Sequence, residues 1–449
     1  MASTKFTRRQ VLSATSAGAL VTMAGWPFTS FSMSSKLKDS LAISGGTPVR
    51  TAPWPSWPVW NEEAESKIVE MYRTGNWYRN TGKYCDEFET VYAKLIGTKH
   101  CLATASGTTA LTIALHASGV DAGDEVIVSP FTFIATYNAV FLAKALPVFV
   151  DTNPETCLID PGKITEKITD RTTAILPVHI YGLPCEMDPI NEVAKQHNLK
   201  VIEDACQAWS GKYRGKNTGN LGDLGCFSFQ NSKHLPSGEG GAVVGNDDAV
   251  MDLCRSFHDC GRHYGSITSE SRYPVRGANF RMQHVQALIL MSQLKRFESD
   301  AQKREANAAY LNEKLNEIPG ILPIKLVGGA EKSAYHLYPF RYKKDQFNMK
   351  PRDTFIKALR AEGIPCSTGY GPQNKDGLIE EALNSRGYQR LFGKKRLDEW
   401  REKNVLPGND QLSEETVIFY QSMLLGSKND MDDIVSAVTK IYENKDQLN

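Results

Sequence analysis

The sequence predicts an α/β fold in which a mostly parallel, seven-stranded sheet is flanked by helices and followed by a smaller α+β domain. Three observations carry that expectation. The chain, at 449 residues, is long for one compact domain. From about residue 98, short apolar runs alternate with longer amphipathic stretches, the pattern of repeated strand and helix. Residues 282–318 then hold one unbroken helical period, long enough to carry the chain away from the sheet.

Taken in order, residues 1–38 read as an extension. Thr7, Arg8, Arg9, Gln10, Val11 and Leu12 form a twin-arginine motif, and the weakly apolar run VLSATSAGALVTMAGW follows it, so export by that route is expected. Next comes an arm in which Pro53, Pro55 and Pro58 alternate with Trp54, Trp57 and Trp60, an extended segment suited to lying on another surface such as a second subunit. The strand candidates are HCLATAS, EVIVSP, LPVFVD, TAILPV, LKVIED, GCFSF and GAVVGN. TTALTIALHASG, IATYNAVFLAKA and PINEVAKQHN are helix candidates between them. These features divide the chain into the extension at 1–38, a large domain with its arm at 39–290 and a small domain at 291–449.

Composition narrows the function. Hydrophobic residues make up 41% and charged residues 23%, and no stretch has the apolar length of a spanning helix. The formal net charge is +1, but the five bases of residues 1–38 have no acid among them, which leaves the rest at −4. A mildly acidic body without a basic block offers nothing to nucleic acid, so a small-molecule partner is expected. The nine cysteines form no paired framework and read as reduced, mostly buried thiols. Cys254, His258, Cys260 and His263 lie close together, but not at the spacing of a zinc knuckle. A helix running into a stop at Gly261 accounts for them, and no metal is expected.

Three places carry chemistry. LKVIED ends in Glu203 and Asp204, which sets a carboxylate at the carboxyl edge of a buried strand, where a charge needs a partner. A protonated ring nitrogen is such a partner. Ser228 ends GCFSF, and Lys233 follows it in the Gly-rich connection QNSKHLPSGEGG. A lysine there can form an imine with an aldehyde cofactor once burial lowers its pKa, and Ser228 can donate to a nearby phosphate. In ASGTTALTIALHASG, Ser106, Gly107, Thr108 and Thr109 open a helix directly after a strand, a geometry that suits an anion and equally suits plain capping.

Asp204, the Ser228 to Lys233 spacing, GEGG and SGTTAL together resemble the DegT, DnrJ and StrS sugar aminotransferases. LAISGGTPVR, GNWYRNTGKYCDEFE, SPFTFIATYNAV, IEDACQAWSGKYRGKNTGNLGDLGCFSF and GANFRMQHVQALI are similar to that family's segments in the same order. The resemblance implies the fold type I of pyridoxal-phosphate-dependent transferases and pyridoxal 5'-phosphate as cofactor. Lys233 then matches the lysine that holds the cofactor and moves the proton, Asp204 the partner of the ring nitrogen, and Phe133 the aromatic stacked on the ring. Gly107, Thr108, Thr109 and Ser228 match the phosphate site, and Gln207 a position near the ring. Asn279 matches an asparagine that reaches the phosphate of a neighbouring subunit, which implies a homodimer with a shared active site. Trp77, Tyr84, His336 and Tyr370 are the candidate substrate-lining residues. Gln230 and Tyr370, at positions where many relatives have His, lean toward the inosose and aminohydroxybenzoate branch.

The implied activity is transfer of an amino group from Glu or Gln to a keto sugar or keto cyclitol in two half-reactions. Two rivals remain open at this stage: an aromatising or dehydrating enzyme of the same family, and a sensor that binds cofactor or sugar without turnover. The relatives that dehydrate carry His in place of the anchoring lysine, which the lysine at 233 disfavours.

Overall fold

The computed structural model describes residues 40–448, so the extension with its arginine pair lies outside the described residues. All seven strand candidates form one sheet: β1 (His100–Thr104), β2 (Glu125–Val128), β3 (Leu146–Phe149), β4 (Thr172–Leu176), β5 (Lys200–Asp204), β6 (Leu224–Ser228) and β7 (Gly241–Gly245). Their spatial order is β1-β7-β6-β5-β4-β2-β3, and β7 alone runs against its neighbours. The near-continuous apolar runs are explained by coverage on both faces, which leaves most strand residues buried.

Helices α1 (Glu62–Thr74) and α2 (Tyr84–Ile96) precede the sheet, α3 (Gly107–Ala117), α4 (Ala135–Leu142) and α5 (Met187–Gln196) connect its strands, and α6 (Asp248–His258) follows the last of them. One face is sealed by an aromatic cluster in which Tyr92 of α2 meets Phe227 and Phe229 edge-on, at ring separations of 5.4 and 5.3 Å. The expected long helix is α7 (His284–Leu315). Beyond it β8 (Ile321–Pro323), β9 (Leu337–Tyr342), β10 (Cys366–Thr368) and β11 (Thr416–Tyr420) form an antiparallel sheet in the order β8-β9-β11-β10. Helices α8 (Arg352–Ala361), α9 (Gly377–Asn384), α10 (Arg386–Glu402), α11 (Pro407–Glu415) and α12 (Lys428–Glu443) complete this half.

Packing divides the chain less simply than a cut at 290/291, which falls within α7. Leu41, Val49 and Trp54 of the arm pack in the core of the small domain with Leu311, Phe355 and Ile434. Conversely Leu383, Tyr388, Leu397 and Trp400 pack on the core of the large sheet. Their polar tips tie the same join: Trp400 Nε1 donates to the Pro147 carbonyl at 2.7 Å, Tyr388 Oη to that of Ala145 at 2.8 Å, and Arg396 meets the buried Glu125 carboxylate at 2.5 Å. α9 and α10 therefore belong, by packing, with the sheet.

All nine cysteines are free thiols, seven of them buried. Cys254 sits in the main core on α6, one turn before His258. No helix of the described residues is long and apolar enough to cross a membrane.

Candidate active site

The carboxyl ends of β5 and β6, the start of α3 and the connection 229–240 meet around a cavity of about 600 Å³. In open α/β sheets the strand ends are where ligands bind, because loops diverge there and helices point their amino ends inward. Gly107, Thr108, Phe133, Asp204, Gln207, Ser228, Lys233, His336 and Tyr370 all line it.

The strand's two-residue period separates the paired carboxylates at the end of β5. Asp204 faces the cavity, where its Oδ2 accepts from Thr136 Oγ1 at 2.7 Å and its Oδ1 from the Cys206 amide at 3.1 Å. Thr136 is in turn 2.7 Å from the Thr132 hydroxyl. Glu203 turns to the opposite face. There it accepts from the Gly219, Leu221 and Gly222 amides at 2.6–2.7 Å and from His179 Nε2 at 2.9 Å, and so holds the loop before β6. One carboxylate braces the scaffold and the other is aimed at a ligand.

The start of α3 is brought close by two glycines. A Cβ on Gly241 would lie 2.3 Å from the Ser106 carbonyl oxygen, and one on Gly107 would lie 2.7 Å from the Ser228 Cβ. Only glycine lets the helix start press against β6 and β7. Ser106 caps α3 by accepting from the Thr109 amide at 3.1 Å, while the Thr109 hydroxyl donates back to the Ser106 carbonyl at 2.8 Å. Thr109 is thus spent on the capping box and does not line the cavity, whereas Gly107 and Thr108 do. Ser228 Oγ accepts from the Gln230 amide at 3.4 Å, which leaves its proton to be donated.

Lys233 reaches into the cavity with Nζ 3.4 Å from His336 Nε2. Burial lowers its pKa below the ordinary lysine value, against the opposing pull of Cys206 and Asp204. His336 is held well below the usual histidine range by burial, with the Lys233 and Arg304 charges acting in the same direction. A neutral imidazole thus sits beside an amine that is more easily deprotonated than usual.

On the far side, Gln207 accepts from the Tyr181 amide and donates to Tyr370 Oη, both at 2.9 Å. Tyr370 stacks on Tyr181 with ring centroids 5.5 Å apart, and burial pushes its phenol up to about 12. Phe133 lines the same cavity with its side chain 55% exposed, an aromatic left open on the ligand side.

Besides Thr109, three expected residues stand outside the cavity. Trp77 is 55% exposed and donates its indole N–H to the Tyr72 carbonyl at 3.0 Å. Tyr84 meets the His284 ring edge-on at 5.5 Å at the start of α2. Asn279 is exposed and bridges Asp259, which also pairs with Arg281 and Arg262. Thr132, Thr136, Cys206, Ser232 and Glu239 also line the cavity, although no motif singles them out. Thr132 and Thr136 have a signal, since their spacing of four on the approach to α4 places two hydroxyls on one side.

The donor set fits pyridoxal 5'-phosphate. Amides of a helix's first turn and serine and threonine hydroxyls suit its phosphate, Asp204 its ring nitrogen, and a primary amine of lowered pKa its aldehyde. Fold and site together define a fold type I enzyme dependent on this cofactor.

Comparison with known proteins agrees. The model of the DegT/DnrJ/EryC1/StrS aminotransferase family matches residues 60–390, and the chain belongs to that family. It is 34% identical over 421 residues to the L-glutamine:2-deoxy-scyllo-inosose aminotransferase of Streptoalloteichus tenebrarius, covering 91% of this chain and 99% of that protein. The enzyme of the same description from Micromonospora echinospora is 33% identical, with the same coverage. Among solved structures, 3-amino-5-hydroxybenzoic acid synthase superimposes with a TM-score of 0.77 at 27% identity, covering 87% of this chain and 98% of that one. An aminotransferase from Psychrobacter cryohalolentis gives 0.77 at 30% identity, covering 88% and 100%. The protein is a pyridoxal-phosphate-dependent aminotransferase.

Proposed function

We propose that the enzyme moves an amino group from glutamine, or glutamate, to an inosose-like keto cyclitol. The observation that carries this reading is the convergence of Lys233, Asp204 and the α3 start on one cavity whose lining suits a polyol. Among the described residues that line the cavity, Lys233 is the only lysine or arginine, and the rest are mostly hydroxyl, amide and aromatic side chains. The relatives described as glutamine:inosose aminotransferases support the same choice of donor and acceptor.

When bound, the cofactor accepts the electron pair released as a substrate C–H bond breaks, and it carries the amino group between donor and acceptor. Gly107, Thr108 and Ser228 would hold its phosphate, Asp204 would pair with its ring nitrogen, and Phe133 would fix the ring plane. Lys233 would hold its aldehyde carbon. When free, the Lys233 Nζ would be the general base and acid, taking the proton from the donor's α-carbon and passing it on within that half-reaction, then delivering a proton to the acceptor's carbon in the second. His336 stays neutral and leaves that proton on Lys233. Thr136 keeps the Asp204 carboxylate aimed by donating to it.

The enzyme works as a homodimer in this reading, since Asn279 lies on the exposed face of its own chain and matches a residue that serves a neighbouring site. Thr7–Leu12 and the apolar run after them support export by the twin-arginine route, which cell fractionation of the full chain against an Arg8→Lys, Arg9→Lys variant would test.

The direct test is amino transfer from glutamine and from glutamate to a panel of inososes and nucleotide keto sugars. Turnover with an inosose and glutamine is the expected result; turnover with nucleotide sugars alone would contradict the proposed acceptor. The likeness to 3-amino-5-hydroxybenzoic acid synthase favours a second reading, aromatisation, which predicts an ultraviolet-absorbing product without a donor.

A further inference from the structure

The arm ahead of α1 is fastened by two indole N–H groups at places that differ in consequence. Trp54 Nε1 donates to the Gly363 carbonyl at 3.0 Å, in the small domain, with the Arg50 guanidinium 4.0 Å from its ring. Trp57 Nε1 donates to the main-chain carbonyl of Lys233, also at 3.0 Å. The arm, expected to lie on another surface such as a second subunit, thus lies on its own chain at both indoles.

The Trp57 ring has an unusual support. Arg304 of α7 is wholly buried, with its guanidinium carbon 5.1 Å from the ring centroid; Arg296 lies 5.6 Å from it. Arg304 spends Nε on Gln421 Oε1 at 2.8 Å, and among the described residues neither Nη has a hydrogen-bond partner. A buried cation in that condition leans on the π face above it, where desolvation strengthens the attraction. Gln421, just past β11, reaches the Ser232 carbonyl at 3.5 Å. Consecutive carbonyls of the lysine loop are therefore gripped from outside it, Ser232 by the small domain and Lys233 by the arm. From within, the loop is held by the Lys233 amide donating to the Gln230 carbonyl at 2.8 Å and the Asn231 amide to that of Gly238 at 2.9 Å.

We propose that Trp57 is a positioning residue for Lys233: its N–H fixes the lysine's carbonyl, and with it the direction of the side chain, while Arg304 fixes the indole. A lysine side chain has many rotamers, so a fixed backbone is what restricts where its amine can reach. The inference rests on Lys233 as the residue that holds the cofactor.

The test compares Trp57→Phe with Trp54→Phe, since each deletes one indole N–H and keeps an aromatic ring. Apoprotein is mixed with pyridoxal 5'-phosphate and the visible band is followed, and steady-state kinetics are measured with glutamine. Loss of one positioning hydrogen bond should slow cofactor attachment about five- to tenfold in W57F and lower kcat in proportion, with KM for glutamine within about twofold. W54F should match the native protein in both, whatever its melting temperature. Equal behaviour of the two variants overturns the proposal. If W57F does not accumulate folded, Arg304→Lys, which withdraws the planar cation from beneath the indole, should show the same slowing, and native rates there overturn it. A native protein that attaches the cofactor at a residue other than Lys233 would instead sink the site assignment itself.

Discussion

The floor of the cavity and the outer face around Trp77 and Asn279 use similar residues, yet one is finished by its own chain and the other is left open. On the floor, Asp204, Thr136, Gln207 and Tyr370 each have a partner within 2.7–2.9 Å. On the outer face, Trp77, Tyr78 and Asn279 are exposed, and the Arg281 guanidinium lies 5.2 Å from the Tyr78 ring. A closed floor sets the cofactor chemistry by geometry that one chain contains. An open face rich in aromatic and polar groups is what a subunit interface looks like before its partner arrives. In the proposed homodimer, chemistry would belong to the floor and assembly to the face.

Changes on the floor should be the most damaging. Lys233→Ala removes both the anchor and the proton carrier, so turnover should fall by about a thousandfold or more in single-turnover assays with glutamine. Asp204→Asn keeps the shape and removes the charge. Loss of one partner from a buried pair costs about 3–5 kcal/mol, so kcat should drop by about a hundredfold or more. Thr136→Val removes one hydrogen bond to that carboxylate and should lower kcat by about five- to tenfold with little change in melting temperature.

On the outer face the expected effects are smaller and of another kind. Asn279→Ala should weaken cofactor retention by about tenfold, measured by equilibrium dialysis, and a mixed dimer with Lys233→Ala should recover one working site. Trp77→Ala should leave kcat within about twofold while shifting the dimer equilibrium in sedimentation. A Trp77 variant that lost kcat as severely as the floor variants would erase the distinction between the two regions.

The pH dependence sharpens the floor further. Lys233 must be neutral to attack the aldehyde, and burial lowers its pKa from the ordinary 10.5. The rate of cofactor attachment to apoprotein should therefore rise with pH and level off below 10.5. A rate that climbs only near the ordinary value would mean that the amine is solvated.

Much of the floor was legible in the sequence because it lies at strand ends, where local pattern and chemistry coincide. LKVIED, GCFSF and SGTTAL each announce a strand or helix terminus, and the residues beside those termini line the cavity. Thr109 is harder to read, because a threonine at that position serves a phosphate or a capping box equally well and here it makes the capping box. The return of α9 and α10 to the large sheet, through Trp400 and Arg396, and the reach of Trp57 to Lys233 join segments more than a hundred residues apart. No local period encodes such contacts. The outer face was legible only as residue types, because in the proposed homodimer what Trp77 and Asn279 meet depends on a second molecule.

The most direct measurement is the absorption spectrum of the purified full chain and of Lys233→Ala, before and after glutamine is added to the native protein. The account predicts a visible band in the native protein that is absent from the variant and that bleaches with glutamine as the amino group is taken up. A native protein that stays colourless after reconstitution with pyridoxal 5'-phosphate, or a band unchanged by the loss of Lys233, would contradict it.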